Sequence, residues 1–206
     1  MDRKPGRPRA LTVDAIAQAA LDDGIDTFSM PSVARRLGVA HSGLYRYVTD
    51  RDDLLVQAID RAVVAAQWPP ADLEWTELLR AIGATVWQMC ETYPGFDRAS
   101  LTVPRSPRAV EHWVEQYVES IHQQGFLIED AAVAIDFVFT LALTASAEMQ
   151  RLHRIETQQA DGVKLKVLKA YDTEEVWRGK GWYDRKLDIV LAGLAQRQLD
   201  NPPTSA

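Results

Sequence analysis

Apolar positions recur at helical spacing along most of the chain, and residue-by-residue alternation of the kind strands need is nearly absent. Ala15, Ile16, Ala19 and Ala20 form one stripe of a first helix, with Thr12 as its cap and Gly24 as its stop. Ser29 is the next N-cap, and Pro31 sits in the first turn, where its missing N–H costs nothing. That helix runs to Leu37 and stops at Gly38. A third, short helix is predicted over about 40–47. Asp50 caps a fourth, with Asp52 and Asp53 at its positive end. Trp68-Pro69-Pro70 breaks the fourth helix. Beyond it, helices are predicted over about 73–92, 108–124, 129–153 and 183–199. A loop is bracketed by Pro104 and Pro107, and a shorter helix follows the polar stretch 156–163. The 129–153 helix is apolar almost all round, so its own core or a partner covers several of its sides. Leu187, Val190, Leu191 and Leu194 are spaced as a packing seam, which together with 129–153 predicts a four-helix interface between two copies.

The expected fold class is therefore all-α. A three-helix head occupies the N-terminus, and a fourth helix joins it to a helical core that carries the dimerisation seam. The segments are an arm (1–10), the head with its linker helix (11–67), the core (68–200) and a tail (201–206). Apolar residues make up 47% of the 206, enough for such an interior. The lone Cys90 excludes an internal disulfide and a Cys-based zinc site, which points to the cytosol. Met1-Asp2-Arg3-Lys4-Pro5 leads into no apolar run, so no signal peptide is expected. The greasiest stretch, Ala131 to Ala147, is interrupted by Asp136 and is shorter than the roughly 20 residues that span a bilayer, so it reads as a buried helix and no membrane partner is expected.

Charge is unevenly placed. Residues 1–61 hold nine basic and nine acidic side chains, so the rest carries the whole net charge of −6. Arg3, Lys4, Arg7 and Arg9 cluster at one tip of the neutral head, and such a polarity orients a molecule toward a phosphate backbone. Arg3-Lys4-Pro5-Gly6-Arg7-Pro8-Arg9 alternates cations with Pro and Gly. It stays extended, either as an arm for a minor groove or as a solubilising tail.

The most informative stretch runs from Ser29 to Val48. Val33, Ala34 and Leu37 of one short helix face Val39, Leu44 and Val48 of the next across Gly38, which is helix-turn-helix patterning. His41, Ser42, Tyr45 and Arg46 share a face, and each can donate a hydrogen bond to a phosphate or a base edge. Ser29, at the start of the pair, joins them as a candidate. Periodicity alone leaves a helical hairpin with a polar outer face as an equal reading.

Gly38-Val39, then Leu44-Tyr45-Arg46-Tyr47-Val48, then Arg51-Asp52-Asp53-Leu54-Leu55 resembles the signature of the TetR (tetracycline repressor) family of bacterial regulators, without gaps. The resemblance is strong over about 10–60. It continues loosely through Gln123-Gln124-Gly125-Phe126 and Leu187-Asp188-Ile189-Val190-Leu191-Ala192-Gly193-Leu194, which resemble the tetracycline-repressor class. It implies that Tyr45, Tyr47 and Arg51 contact phosphates and that His41, Ser42 and Gly43 lie over the bases. Many members carry Gly-Thr where this chain has Ser42-Gly43, and Pro31 stands where the class can present a base-reading Arg, so no operator sequence carries over.

The core offers no enzyme constellation. His41, His112, His122 and His153 make no metal spacing, and there is no P-loop, dinucleotide fingerprint or nucleophile elbow, so no cofactor or metal is expected. Met89, Phe96, Tyr117, Phe139 and Leu141 read as packing. The resemblance implies a mostly apolar pocket, for which Trp87, His112, Trp113, Phe137 and Glu148 are the candidates. The class ligates a magnesium–tetracycline complex through a histidine in the loop after its fifth helix. The matching Asp97 to Pro104 contains none, so an apolar or aromatic inducer is expected instead. The function read from the sequence is a homodimeric repressor of double-stranded operator DNA, released by a small molecule. The alternative is a helical scaffold or enzyme with no DNA role.

Overall fold

The computed structural model describes residues 11–158 and 180–200. Arg3, Lys4, Arg7 and Arg9 of the basic arm, and the shorter helix expected after 163, lie outside the described residues. Those residues form nine helices and no strand: α1 (Val13–Asp23), α2 (Met30–Leu37), α3 (His41–Leu44), α4 (Arg51–Ala65), α5 (Trp75–Thr92), α6 (Phe96–Thr102), α7 (Arg108–Gln123), α8 (Ile128–Gln158) and α9 (Lys180–Asp200).

The first helices begin where their caps dictate. Thr12 accepts from the Ala15 amide at 3.1 Å, and Asp50 accepts from Asp53 at 2.8 Å. Ser29 and Ser32 cap each other reciprocally at the start of α2, which stops at Gly38 in the left-handed conformation. α4 ends at Ala65, before the aromatic-proline run expected to break it. The Trp68 indole N–H then turns back and donates to the Val63 carbonyl at 2.8 Å, sharing that acceptor with the Ala66 amide at 3.3 Å.

α1 packs on α2 and α4, while α8 lies at the centre of the core against α5, α6, α7 and α9. α4 touches both assemblies, resting on α1 at one side and on α7 and α6 at the other. One apolar cluster consequently runs unbroken from Ile16 through Leu55, Ile59 and Val63 to Leu78, Ile121, Ile135 and Leu187.

Four expectations differ from the fold. α3 is a single turn and does not reach Tyr47. The segment read as a loop after α5 contains α6, whose Phe96 and Ala99 are buried. α8 extends to Gln158, into the stretch read as polar loop. Over Ile128–Arg151 it is long and apolar enough to cross a bilayer by length and composition, although here it packs against four helices. Finally, Leu187, Leu191 and Leu194 are buried within their own chain and Val190 is half-buried. The face of α9 left open carries Ile189, Ala192 and Gly193, and the open face of α8 carries Val133, Phe137, Thr140 and Thr144.

Candidate nucleic-acid interface and ligand cavity

The head builds its outer face from the inside. Val33, Ala34, Leu44 and Val48 are buried against Ile16, Ala20 and Phe28, while Leu37 and Val39 pack at the margin. With Leu44 and Val48 fixed inward, the residues between them must point out. His41, Ser42, Tyr45, Arg46 and Tyr47 are all exposed. Tyr45 Oη lies 3.3 Å from His41 Nε2, and the two rings meet edge to face at 5.2 Å, so each steadies the other. A Cβ added at Gly43 would meet nothing within 4 Å. This is a small, rigid, polar surface rich in donors.

Two of the expected DNA contacts have other duties. Arg51 donates from Nε to the Phe28 carbonyl at 3.2 Å and from Nη2 to the Asp26 carbonyl at 3.3 Å, with its guanidinium 4.7 Å from the Phe28 ring centre. It ties α4 to the turn between α1 and α2. Ser29 is occupied by its reciprocal cap with Ser32. Among the head's arginines, Arg36 binds the Asp22 carbonyl and Asp23, and Arg61 pairs with Asp14 and Gln18. Arg35 and Arg46 are exposed and have no ion-pair partner among the described residues. Arg35 lies on the polar side of α2, opposite Val33 and Leu37, and is not among the candidates drawn from the sequence.

The core contains a partly open apolar cavity of about 270 Å³. Ile59 and Val63 of α4, Trp68, Val86 and Met89 of α5, Phe96 and Ser100 of α6, Val103, Ser106 and Pro107, Val110 of α7 and Phe139 and Leu143 of α8 line it. Trp68 forms one wall, stacked on Phe139 and on Trp113 at 5.7 Å each. The Ser100 hydroxyl is buried with no hydrogen-bond partner among the described residues. A wider groove of about 460 Å³ lies beyond Met89, between the end of α4 and α5, with more polar walls.

None of the five pocket candidates lines the 270 Å³ cavity. Trp87 is buried, but its indole N–H donates to Glu91 at 2.9 Å and its ring packs on Tyr183. Trp113 stands behind Trp68, against Tyr117. His112 is exposed and lies across the edge of Trp113. Phe137 points outward, 48% exposed. Glu148 pairs with Lys186 of α9 at 3.1 Å. Met89, Phe96 and Phe139, read as packing, and Trp68, read as a helix breaker, line it instead. No group of three or more His, Cys, Asp or Glu side chains suited to a metal ion occurs among the described residues.

Ion pairs and capping bonds cross from core to head. Arg105, from the α6–α7 loop, donates to Asp53 in the first turn of α4 at 2.7 Å, and Asp60 accepts from the amide of Ala109 in α7 at 2.8 Å. Burial alone would raise the Asp53 carboxyl. The Thr49 amide, the Arg105 guanidinium and Gln57 together outweigh it and hold the carboxyl below its ordinary value.

Solved structures share this arrangement. The apo structure of ActR from Streptomyces coelicolor superposes with a TM-score of 0.72 at 22% identity, over 92% of this chain and 99% of that one. ActR, described as a TetR-family protein, also superposes in its complex with actinorhodin, with a TM-score of 0.73 at 21% identity and the same coverage. The chain has the TetR-family fold. A TetR variant from Acinetobacter baumannii AYE, solved with minocycline, matches with a TM-score of 0.72 at 18% identity, over 92% of this chain and 99% of that one. In sequence, the chain is 25% identical over 170 residues to the HTH-type transcriptional repressor DrrR1 of Streptomyces coeruleorubidus, a match covering 78% of this chain. It spans 62% of that relative's length. No protein-family model matches the chain.

Proposed function

We propose that the chain is a ligand-responsive transcriptional repressor that acts as a two-fold dimer on a partly palindromic duplex. The observation that carries the reading is the outer face of α3 and its following turn. His41, Ser42, Tyr45 and Arg46 are exposed donors on a backbone fixed by Leu44 and Val48, the geometry a recognition helix needs in a major groove. His41, Ser42 and the open position at Gly43 face the bases. Tyr45, Tyr47, Arg35 and Arg46 serve phosphates, with the arm residues Arg3, Lys4, Arg7 and Arg9 tracking the backbone beyond. The exposed stripes of α8 and α9 supply the dimer interface.

The inducer occupies the cavity around Trp68, Met89 and Phe139. A partly open, mostly apolar space of about 270 Å³ suits a small, mostly apolar or aromatic molecule with one hydrogen-bonding group for Ser100. The ligand-bound relatives, which hold actinorhodin and minocycline, lend support to a ligand site in such a core.

The test is selection from random-sequence DNA by the full-length protein. Selection should enrich a two-fold repeat with half-sites about one duplex turn apart, roughly 34–36 Å. A screen of aromatic compounds for release from that duplex then tests the cavity, with Phe139→Trp, which fills it, expected to block release. Selection that enriches no sequence would favour a helical scaffold or enzyme without a DNA role.

A further inference from the structure

One ion pair at the head–core junction grips the head at an unexpected point. Arg98, in the first turn of α6, donates from Nε and Nη2 to Oδ2 of Asp26, at 2.8 and 2.5 Å. Asp26 lies in the turn 24–28 that joins α1 to α2, 72 residues away in sequence. The fit against α6 is close. Gly95, at a φ of 90°, sits so near the Asp26 carboxylate that a Cβ there would overlap it. On the core side, Arg98 Nη1 donates to Gln150 Oε1 of α8 at 3.0 Å and lies 3.5 Å from Oδ1 of Asp97. The Asp97 carboxylate is fully buried and faces Ser146 of α8. On the head side, the carbonyl of the same Asp26 accepts from Arg51 of α4. The turn that launches α2 is thus held from two directions, by α4 and by α6.

We infer that Arg98 is a positioning residue for the DNA-reading face, setting the angle of α2 and α3 against the core through Asp26, by a route separate from α4. The inference rests on the DNA-binding reading above. The Arg98 side chain is 41% exposed and Asp26 20%, and Oδ2 takes two charge-assisted bonds from one guanidinium, so the pair is partly solvated but better oriented than a single-contact surface pair. The guanidinium is itself fixed by Gln150 and Asp97. A shift of α6 along α8 therefore displaces the turn, and α2 with it.

The experiment compares full-length wild type, Arg98→Gln, Asp26→Asn and the double variant. Each is assayed on the duplex selected by the wild type, on a copy with one base pair inserted between the half-sites, and on one half-site alone. The insertion rotates the second half-site by about 35°. Wild type should lose about tenfold or more on the longer spacer, and each single variant should narrow that gap to about threefold or less. Affinity for the lone half-site should stay unchanged. The double variant should go no further than the singles, because both act through one contact. Hydrogen exchange should rise across 24–37 and not in α5 or α8.

A spacer gap like that of wild type in both single variants would overturn the assignment. If Arg98→Gln fails to fold, Asp26→Asn carries the test, since it leaves the contacts of α6 with α8 intact. If the wild type selects no duplex, the DNA-binding reading falls, and exchange decides the positioning role alone. Selective loss of protection at 24–37 sustains it, and unchanged protection ends it.

Discussion

Phe137 is the sharpest probe of how two copies would meet. It projects from α8 with 48% of its surface exposed, between Val133 at 61% and Thr140 on the same face, and Ile189 of α9 is exposed to 71%. Fully burying a Phe side chain is worth roughly 1.5–3 kcal/mol. Its own chain already covers about half the ring, so a partner adds about half of that, roughly 0.7–1.5 kcal/mol. A two-fold axis presents the ring twice. Phe137→Ala should therefore remove roughly 1.5–3 kcal/mol from the dimer, about 10- to 150-fold in Kd. Phe137→Asp should do more, because it also buries two like charges. The assay is sedimentation velocity over a dilution series, with Leu101→Asp as the control. Leu101 is also 48% exposed, but it lies on α6, off both stripes. A Phe137→Asp protein that dimerises as tightly as wild type would refute this use of the α8 face, and so would wild type that is monomeric at micromolar concentration.

Tyr183→Phe should leave stability unchanged or raise it by about 1–3 kcal/mol in thermal unfolding, because the buried hydroxyl has no partner among the described residues. Gly83→Ala should destabilise, since its Cβ would overlap that hydroxyl and the ring. The Asp53 carboxyl, held below its ordinary 3.8, favours the folded state above that pH, and the contribution is lost as pH falls through the lower folded value. The melting-temperature gap between wild type and Asp53→Asn should accordingly stay constant down to about pH 4 and close below it. Cys90, whose thiol burial pushes up to about 12 against the opposing Ser146 hydrogen bond, should resist iodoacetamide until the chain unfolds, and rapid labelling of the native protein would contradict its burial. His41→Ala should change which bases are preferred in a selection experiment, whereas Tyr45→Phe should weaken all duplexes alike.

Caps and stripes made the head readable. Ser29, Asp50 and the Val33–Leu44–Val48 pattern report local chemistry, and local chemistry is written in adjacent residues. α6 escaped because seven residues between Pro94 and Pro104 are too few to display a period. Phe96 and Ala99 make it helical by docking beneath α8, which is tertiary information. The cavity escaped for a related reason. Spacing marks which side chains turn inward, but not where inward side chains fail to meet, so Trp68 read as punctuation and Phe139 as filler. Arg51 shows something adjacent residues do not display, since a motif residue expected at the phosphates also donates two of its five N–H groups to carbonyls of its own chain.

The division of labour around α3 bears on how such a protein changes over generations. Leu44 and Val48 hold the turn, while the side chains of Ser42 and Arg46 make no hydrogen bond or ion pair among the described residues, and a side chain grafted onto Gly43 meets open space. Mutations at these three positions can drift at little cost to folding, so, if this face reads DNA as proposed, target preference can diverge while the scaffold stays intact. Ser29, Arg51 and Asp26 have no such latitude. Related genes copied within one genome could part company in the sites they recognise by altering a few codons near position 43, with no compensating change elsewhere.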